Sequence, residues 1–113
     1  DDYNLALMIN KYIATHYDQA ISIDDAAAQF HLSARHVTRL LADYYGQTFN
    51  DILNAYRLNL AKELLTTTDS SIENVAFSVG FSSTRSLYNL FMKAEHLSPA
   101  EYKKRSAHPS SPS

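Results

Sequence analysis

Apolar positions along this chain recur mainly at three- and four-residue spacing, the period of helices that bury one face. Leu5, Ile9, Tyr12, Ile13 and His16 or Tyr17 set a first helix. Ser22, with Asp25 three residues on, is an N-cap followed by a first-turn acid, and it starts a second helix from about Ile23 to Phe30. His31-Leu32 is a short turn. Ser33 then caps a third helix with Val37, Leu40, Leu41 and Tyr44 on one face, ending near Gly46. Thr48 caps the longest helix, from about Phe49 to Leu65, and Thr66-Thr67-Thr68-Asp69 reads as a loop. Ser70 or Ser71 caps a fifth helix, Ile72 to Val79, with Glu73 able to complete a box with Ser70. After a Gly80-Phe81 turn, Ser82 or Ser83 caps a sixth helix carrying Leu87, Leu90 and Phe91. Ser98-Pro99-Ala100-Glu101 combines a capping box with proline at the first helical position and opens a short seventh helix. Residues 107–113 read as a disordered tail.

The pattern repeats itself. Ile23 to Leu32 aligns without a gap on Ile72 to Phe81, pairing Asp24 with Glu73, Ala27 with Ala76 and Phe30 with Val79. Ser33 then falls on Ser82. One extra residue after that cap brings Val37 onto Leu87, Leu40 onto Leu90 and Leu41 onto Phe91. Each copy is a short helix with a small mid-length alanine, a tight turn, and a Ser-capped helix that is apolar on one face only. That is the logic of a helix-turn-helix, in which the alanine permits close crossing and the polar face stays free for DNA. Paired short helices also occur in proteins that bind no DNA. Duplication favours DNA, because two units suit two successive major-groove segments. About 17 residues of fourth helix span roughly 25 Å, so a separation near one DNA turn, about 34 Å, is reachable with the flanking helices.

Composition sharpens this picture. The 113 residues include only 2 Gly and 3 Pro, which argues for helices over hairpins. With no cysteine, disulfides and thiolate metal sites are excluded, and the chain fits a reducing cytoplasm. No apolar run approaches a membrane span of about 18 residues. The chain opens on Asp1 without a signal-peptide pattern, and it is expected to be a segment of a longer protein. The net charge of -2 runs against the basic balance usual in nucleic-acid binders. Its distribution softens the objection: Ser33 to Ala42 holds Arg35 and Arg39 without an acid, and Ser82 to Lys93 holds Arg85 and Lys93 without one.

With these residues in hand, the chain resembles the C-terminal DNA-binding domain of AraC/XylS-type bacterial transcription regulators. The resemblance covers about Leu5 to Lys104. It is most specific in Ile72, Val75-Ala76, Val79-Gly80-Phe81, Phe91, Lys93, Ser98-Pro99 and Tyr102, with support from Ala27, Leu32-Ser33, Arg39, Gly46, Arg57-Leu58 and Leu64-Leu65. It implies that helices 3 and 6 are recognition helices entering adjacent major-groove segments of double-stranded DNA. By position, helix 3 would present Arg35, Thr38 and Arg39, and helix 6 would present Thr84, Arg85, Ser86 and Asn89. It further implies contact with RNA polymerase, a monomeric isolated domain, and a separate sensing and dimerising N-terminal domain in the full protein. Some positions depart from the family. Asn89 stands where Arg is usual, Ala42 and Met92 where Lys is common, and His96 where glycine precedes Ser98-Pro99. Asn89 shifts readout toward adenine, the missing lysines reduce backbone contact, and a left-handed His96 would be strained.

The remaining residues narrow the alternatives. Arg39 could pair with Asp43 one turn on instead of reading a base, and Asn89 could cap or face water. Arg57 reads as structural or phosphate-proximal, and Lys62-Glu63 as plain helix surface. Tyr12, Tyr44 and Tyr56 fall on apolar faces, while Tyr88 is open between core and backbone contact. The 5 histidines show no metal-ligand spacing, and no phosphate loop, carboxylate pair or Ser-His-Asp set suggests an enzyme or a cofactor. The competing reading is a module that has lost DNA affinity and binds polymerase or another regulator. The expected architecture is all-α with seven helices. A first helix-turn-helix subdomain covers 1–47, a linker helix 48–66, and a second subdomain 67–106.

Overall fold

A computed structural model of the chain describes residues 1–107. Its regular structure is seven helices: α1 (Asp2–His16), α2 (Ile23–Gln29), α3 (Ala34–Tyr45), α4 (Phe49–Thr67), α5 (Ile72–Ser78), α6 (Thr84–Glu95) and α7 (Pro99–Ala107). Ala107 thus closes α7, and the rest of the expected disordered tail lies outside the described residues. The chain divides into two compact units, Asp1–Tyr56 and Arg57–Ser113. The first buries Ile9 and Ile13 of α1, Ala26 and Ala27 of α2, Val37, Leu40 and Leu41 of α3, and Phe49, Ile52 and Leu53 of α4. The second buries Ala61 and Leu65 of α4, Val75 and Ala76 of α5, Val79, and Leu87 and Phe91 of α6. Helix α4 therefore gives its first half to one core and its second half to the other.

Local chemistry explains the boundaries. Reciprocal boxes start three helices. The Ser22 amide donates to the Asp25 carboxylate (2.8 Å), the Thr48 amide to Asp51 (3.1 Å) and the Ser98 amide to Glu101 (3.0 Å). Each side-chain hydroxyl accepts an amide in return. The Ser98 backbone and hydroxyl hold the Glu101 carboxyl below the usual carboxylate range. What that box adds to α7 is present above the ordinary carboxylate pKa and is lost as pH falls through the lowered one.

Helix α4 continues past Leu65 into what the sequence reads as a loop. The threonine hydroxyls bond back to the preceding turn: Thr66 Oγ1 to the Lys62 carbonyl (3.0 Å), Thr67 Oγ1 to Glu63 (2.7 Å) and Thr68 Oγ1 to Leu64 (2.7 Å). Each is a second bond to a carbonyl of the last turns; the Leu64 carbonyl also accepts the Thr68 amide at 3.1 Å. The cap of α5 is Ser71, whose hydroxyl accepts from the Asn74 amide at 3.1 Å. Ser70 lies in the loop, so its expected box with Glu73 does not form; its carbonyl accepts from Lys103 Nζ at 2.8 Å instead.

Both units turn in the same way between their first short helix and the next. The Leu32 amide donates to the Ala27 carbonyl and the Phe81 amide to the Ala76 carbonyl, each at 2.9 Å. His31 (φ 58°) and Gly80 (φ 104°) occupy the left-handed position those bonds require. Helices α3 and α6 also end on left-handed residues, Gly46 (φ 66°) and His96 (φ 60°). Each unit thus places a glycine at one corner and a histidine at the other. Nothing lies within 4 Å of a Cβ built on Gly46, so its requirement is conformational rather than steric. Gly46→Ala is expected to cost about 1 kcal/mol, and His96→Gly to gain about 0.5–1 kcal/mol from relieved strain. Urea denaturation of the two variants measures both; a destabilised His96→Gly protein would contradict the strain argument.

The second unit also holds a buried cation. Arg57 is 8 % exposed, with its guanidinium 5.1 Å from the centre of the Phe81 ring. Nearby, Lys62 is more than the plain surface its sequence context suggests. Its ammonium lies 3.2 Å from Glu95 Oε2 and 5.9 Å from the Tyr102 ring centre, joining α4 to α6 and α7. Arg57→Ala is expected to destabilise the domain by about 1–3 kcal/mol through lost packing and cation–π attraction. A denaturation midpoint equal to wild type would show that Phe81 needs no such cover.

Candidate nucleic-acid interface

Helix α3 is anchored by Val37, Leu40 and Leu41, all at most 1 % exposed. Ser33 fixes its start by accepting the His36 amide at 3.0 Å. With that face buried, Arg35, Thr38 and Arg39 are left exposed at spacings that share one helix face. Helix α6 is anchored by Leu87 and Phe91, both 0 % exposed. Its cap is Ser83, which accepts the Ser86 amide at 3.3 Å. Thr84, Arg85 and Asn89 are exposed.

Ser86 stands apart from the other expected contacts. It is half-buried, and its hydroxyl lies 3.2 Å from that of Ser83, within the cap. With Ser83 as the cap of α6, the register of the repeat differs from the sequence alignment. The extra residue of the second copy sits before the cap, not after it, so Ser33 corresponds to Ser83 and the connecting turn is one residue longer. In that register Arg35 matches Arg85, Thr38 matches Tyr88, Arg39 matches Asn89 and Ala42 matches Met92. Ser86 matches His36, which is likewise half-buried and whose Nε2 is buried without a hydrogen-bond partner. Tyr88 is exposed and belongs to the outward set; its aromatic character obscures this in the sequence, whereas cap-to-cap counting reveals it.

The other tyrosines divide differently from the sequence expectation. Tyr12 and Tyr56 are half-buried, and the Tyr56 hydroxyl donates to Asn10 Oδ1 at 2.9 Å. Tyr44 is 45 % exposed and meets Tyr3 edge-on at 5.8 Å. Tyr45 packs on the core in its place, because a step of four from the buried Leu41 reaches residue 45.

The electrostatics single out the same two helices. The other helices carry an acid in the first turn: Asp2 in α1, Asp24 and Asp25 in α2, Asp51 in α4, Glu73 in α5 and Glu101 in α7. Helices α3 and α6 carry none and are capped by neutral serines. Among the described residues, Arg35, Arg39 and Arg85 form no ion pair; Arg39 and Asp43 do not join. Among the same residues no cluster of His, Asp and Glu is arranged to hold a metal, and no helix is long and apolar enough to cross a membrane.

Comparison with known proteins agrees with this geometry. A family model described as a helix-turn-helix domain matches residues 26–105. The melibiose operon regulatory protein of Escherichia coli (strain K12) is 35% identical over 95 residues, covering 84% of this chain and 32% of that protein. The C-terminal domain of AraT, a response regulator from Geobacillus stearothermophilus, superposes with a TM-score of 0.89 at 24% identity, covering 96% of this chain and 91% of that one. The DNA-binding domain of the transcriptional factor AdpA, solved in complex with a target DNA, superposes with a TM-score of 0.85 at 26% identity, covering 93% and 96%. The chain spans about a third of the length of the curated relatives it matches. With the helix pairs, their caps and the sequence match in agreement, the chain belongs to the AraC-type helix-turn-helix family, the DNA-binding domains of transcriptional regulators.

Proposed function

We propose that this domain reads specific sequences in double-stranded DNA by placing α3 and α6 in adjacent major-groove segments on one DNA face. The observation that carries the reading is the repeated outward face. On two acid-free, serine-capped helix starts, unpaired Arg35 and Arg39 recur in register as Arg85 and Asn89. The chemistry suits base edges. Arginine binds guanine O6 and N7 bidentately, asparagine binds adenine N6 and N7, and threonine serves either. Arg35, Thr38 and Arg39 form the first contact set, and Thr84, Arg85 and Asn89 the second. Ser86 contributes chiefly by holding the start of α6 at Ser83. The domain acts in the cytoplasm, by binding and not by catalysis, and as a monomer when isolated. In the full protein it works with RNA polymerase, and a separate N-terminal domain supplies sensing and dimerisation.

Selection of bound duplexes from a random pool tests the reading. The expected result is a bipartite motif, two short boxes about one DNA turn apart. No enrichment from a folded domain would favour a protein-interaction module, whose support is the net charge of -2. A single enriched box would mean that one helix-turn-helix alone reads bases. On the selected site, Arg39→Ala or Arg85→Ala is expected to cost about 1–3 kcal/mol and to relax preference at one base position. An equal loss on every sequence would make these residues phosphate contacts. The few lysines near the interface also predict a shallow dependence of affinity on salt; a steep slope in a titration of binding against salt would contradict that.

A further inference from the structure

In cap-to-cap register the two recognition faces share their polar logic but not their apolar content. Where α3 exposes Thr38 and Ala42, α6 exposes Tyr88 and Met92, 48% and 38% accessible. These two lie one turn apart on one face, between Arg85 and Lys93 and beside Asn89. Tyr88 also lines an open groove of about 400 Å³ with Ile72, Arg85, Pro99 and Ala100, so apolar surface extends from the helix onto its neighbours. Large apolar side chains left in water on a functional face point to an apolar partner. In the major groove the apolar feature of a base pair is the thymine C5-methyl group.

We propose that α6 selects thymine through this methyl group, with Tyr88 as the principal contact and Met92 extending it one turn on. The inference rests on the DNA-binding reading above and names the base class its second box contains. Asn89, beside Tyr88, accounts for an adjacent adenine through its own bidentate bond, so the α6 box is rich in A·T pairs. Helix α3, with Thr38 and two arginines, takes the box richer in guanine. Because Tyr88 and Met92 are exposed, replacing them removes surface contact without opening the core.

The test removes methyl groups from the DNA and leaves the protein intact. In the selected duplex, each thymine is replaced in turn by deoxyuracil, which pairs identically but lacks the methyl, and affinity is measured by fluorescence anisotropy. Wild-type domain is expected to lose about fourfold in affinity for each contacted methyl, the factor for one buried methylene-sized group. The losses should cluster in one box, and Tyr88→Ser, whose side chain carries no ring and no methyl group, should bind thymine and uracil duplexes equally there. Circular dichroism confirms that the variant is folded, and Met92→Ala serves as a second, smaller perturbation of the same discrimination. Equal affinity of the wild type for thymine and uracil duplexes would overturn this inference while leaving the DNA-binding reading standing. Undiminished discrimination in both variants would overturn the role of Tyr88 and Met92. Failure of the wild type to bind any duplex selectively would overturn the DNA-binding reading itself.

Discussion

The turn that joins the paired helices of each unit governs the rest of the structure. An amide reaching back across the turn to the carbonyl of Ala27 or Ala76 can be satisfied only if the residue before it is left-handed. That reversal drops Leu32 and Phe81 onto the cores of their units and delivers the chain to the serine that caps the next helix. The alanines keep the crossing close, since a larger side chain there would separate the helices. Once turn and cap are set, the rotation of the second helix follows, and with it the residues that face outward. The arginines of α3 and α6 owe their position to backbone hydrogen bonds several residues away. This also explains why strain is tolerated at His31: the turn it completes orients α3.

Most helices were legible in the sequence because their signals are local. A serine or threonine cap with an acid three residues on, and apolar residues at helical period, specify where a helix starts and which face it buries. The failures were of another kind. At Thr66 and Thr67 β-branched residues suggested a loop, but the helix runs on through both, with their hydroxyls turned back onto carbonyls of the preceding turn. Tandem serines at 70–71 and 82–83 left the caps open by one residue, and one residue rotates a helical face by about 100°. Tyr44 was read onto the apolar stripe, but Tyr45, a step of four from Leu41, packs on the core while Tyr44 stays exposed beside Tyr3. The ring-stacked and paired state of Lys62 depends on α6 and α7, which spacing along α4 could not reveal. For the candidate site, Arg35, Arg39, Arg85 and Asn89 were legible as the complement of a buried face. Tyr88 was not, because an aromatic residue near a core is usually part of it.

The two units are copies in architecture and not in chemistry. Glycine and histidine exchange places at their left-handed corners, so neither unit holds both glycines that ideal turns would use. Across the outward faces Arg39 becomes Asn89, Thr38 becomes Tyr88 and Asp43 becomes Lys93. A duplicated reader with identical faces would demand a repeated site. Divergence among the outward residues, with the caps and buried anchors kept, gives one scaffold two outward faces of different chemistry.

The acidic balance of the chain then becomes a consequence of how it is built. A domain of short helices has many exposed amide ends, each carrying partial positive charge. Carboxylates quench them: Asp1, Asp25, Asp51 and Glu101 each accept a backbone amide at a helix start. These acids are structural, and they bring the net charge to -2 without lying on the outward faces of α3 and α6. At those two helices the same task falls to Ser33 and Ser83, which satisfy an amide without adding charge. Their positive ends therefore stay uncompensated, beside arginines that pair with no acid. A polyanion meets a local field opposite in sign to the protein's overall charge. Because that field falls off within about a Debye length, roughly 10 Å in moderate salt, the local arrangement outweighs the total at the starts of these two helices.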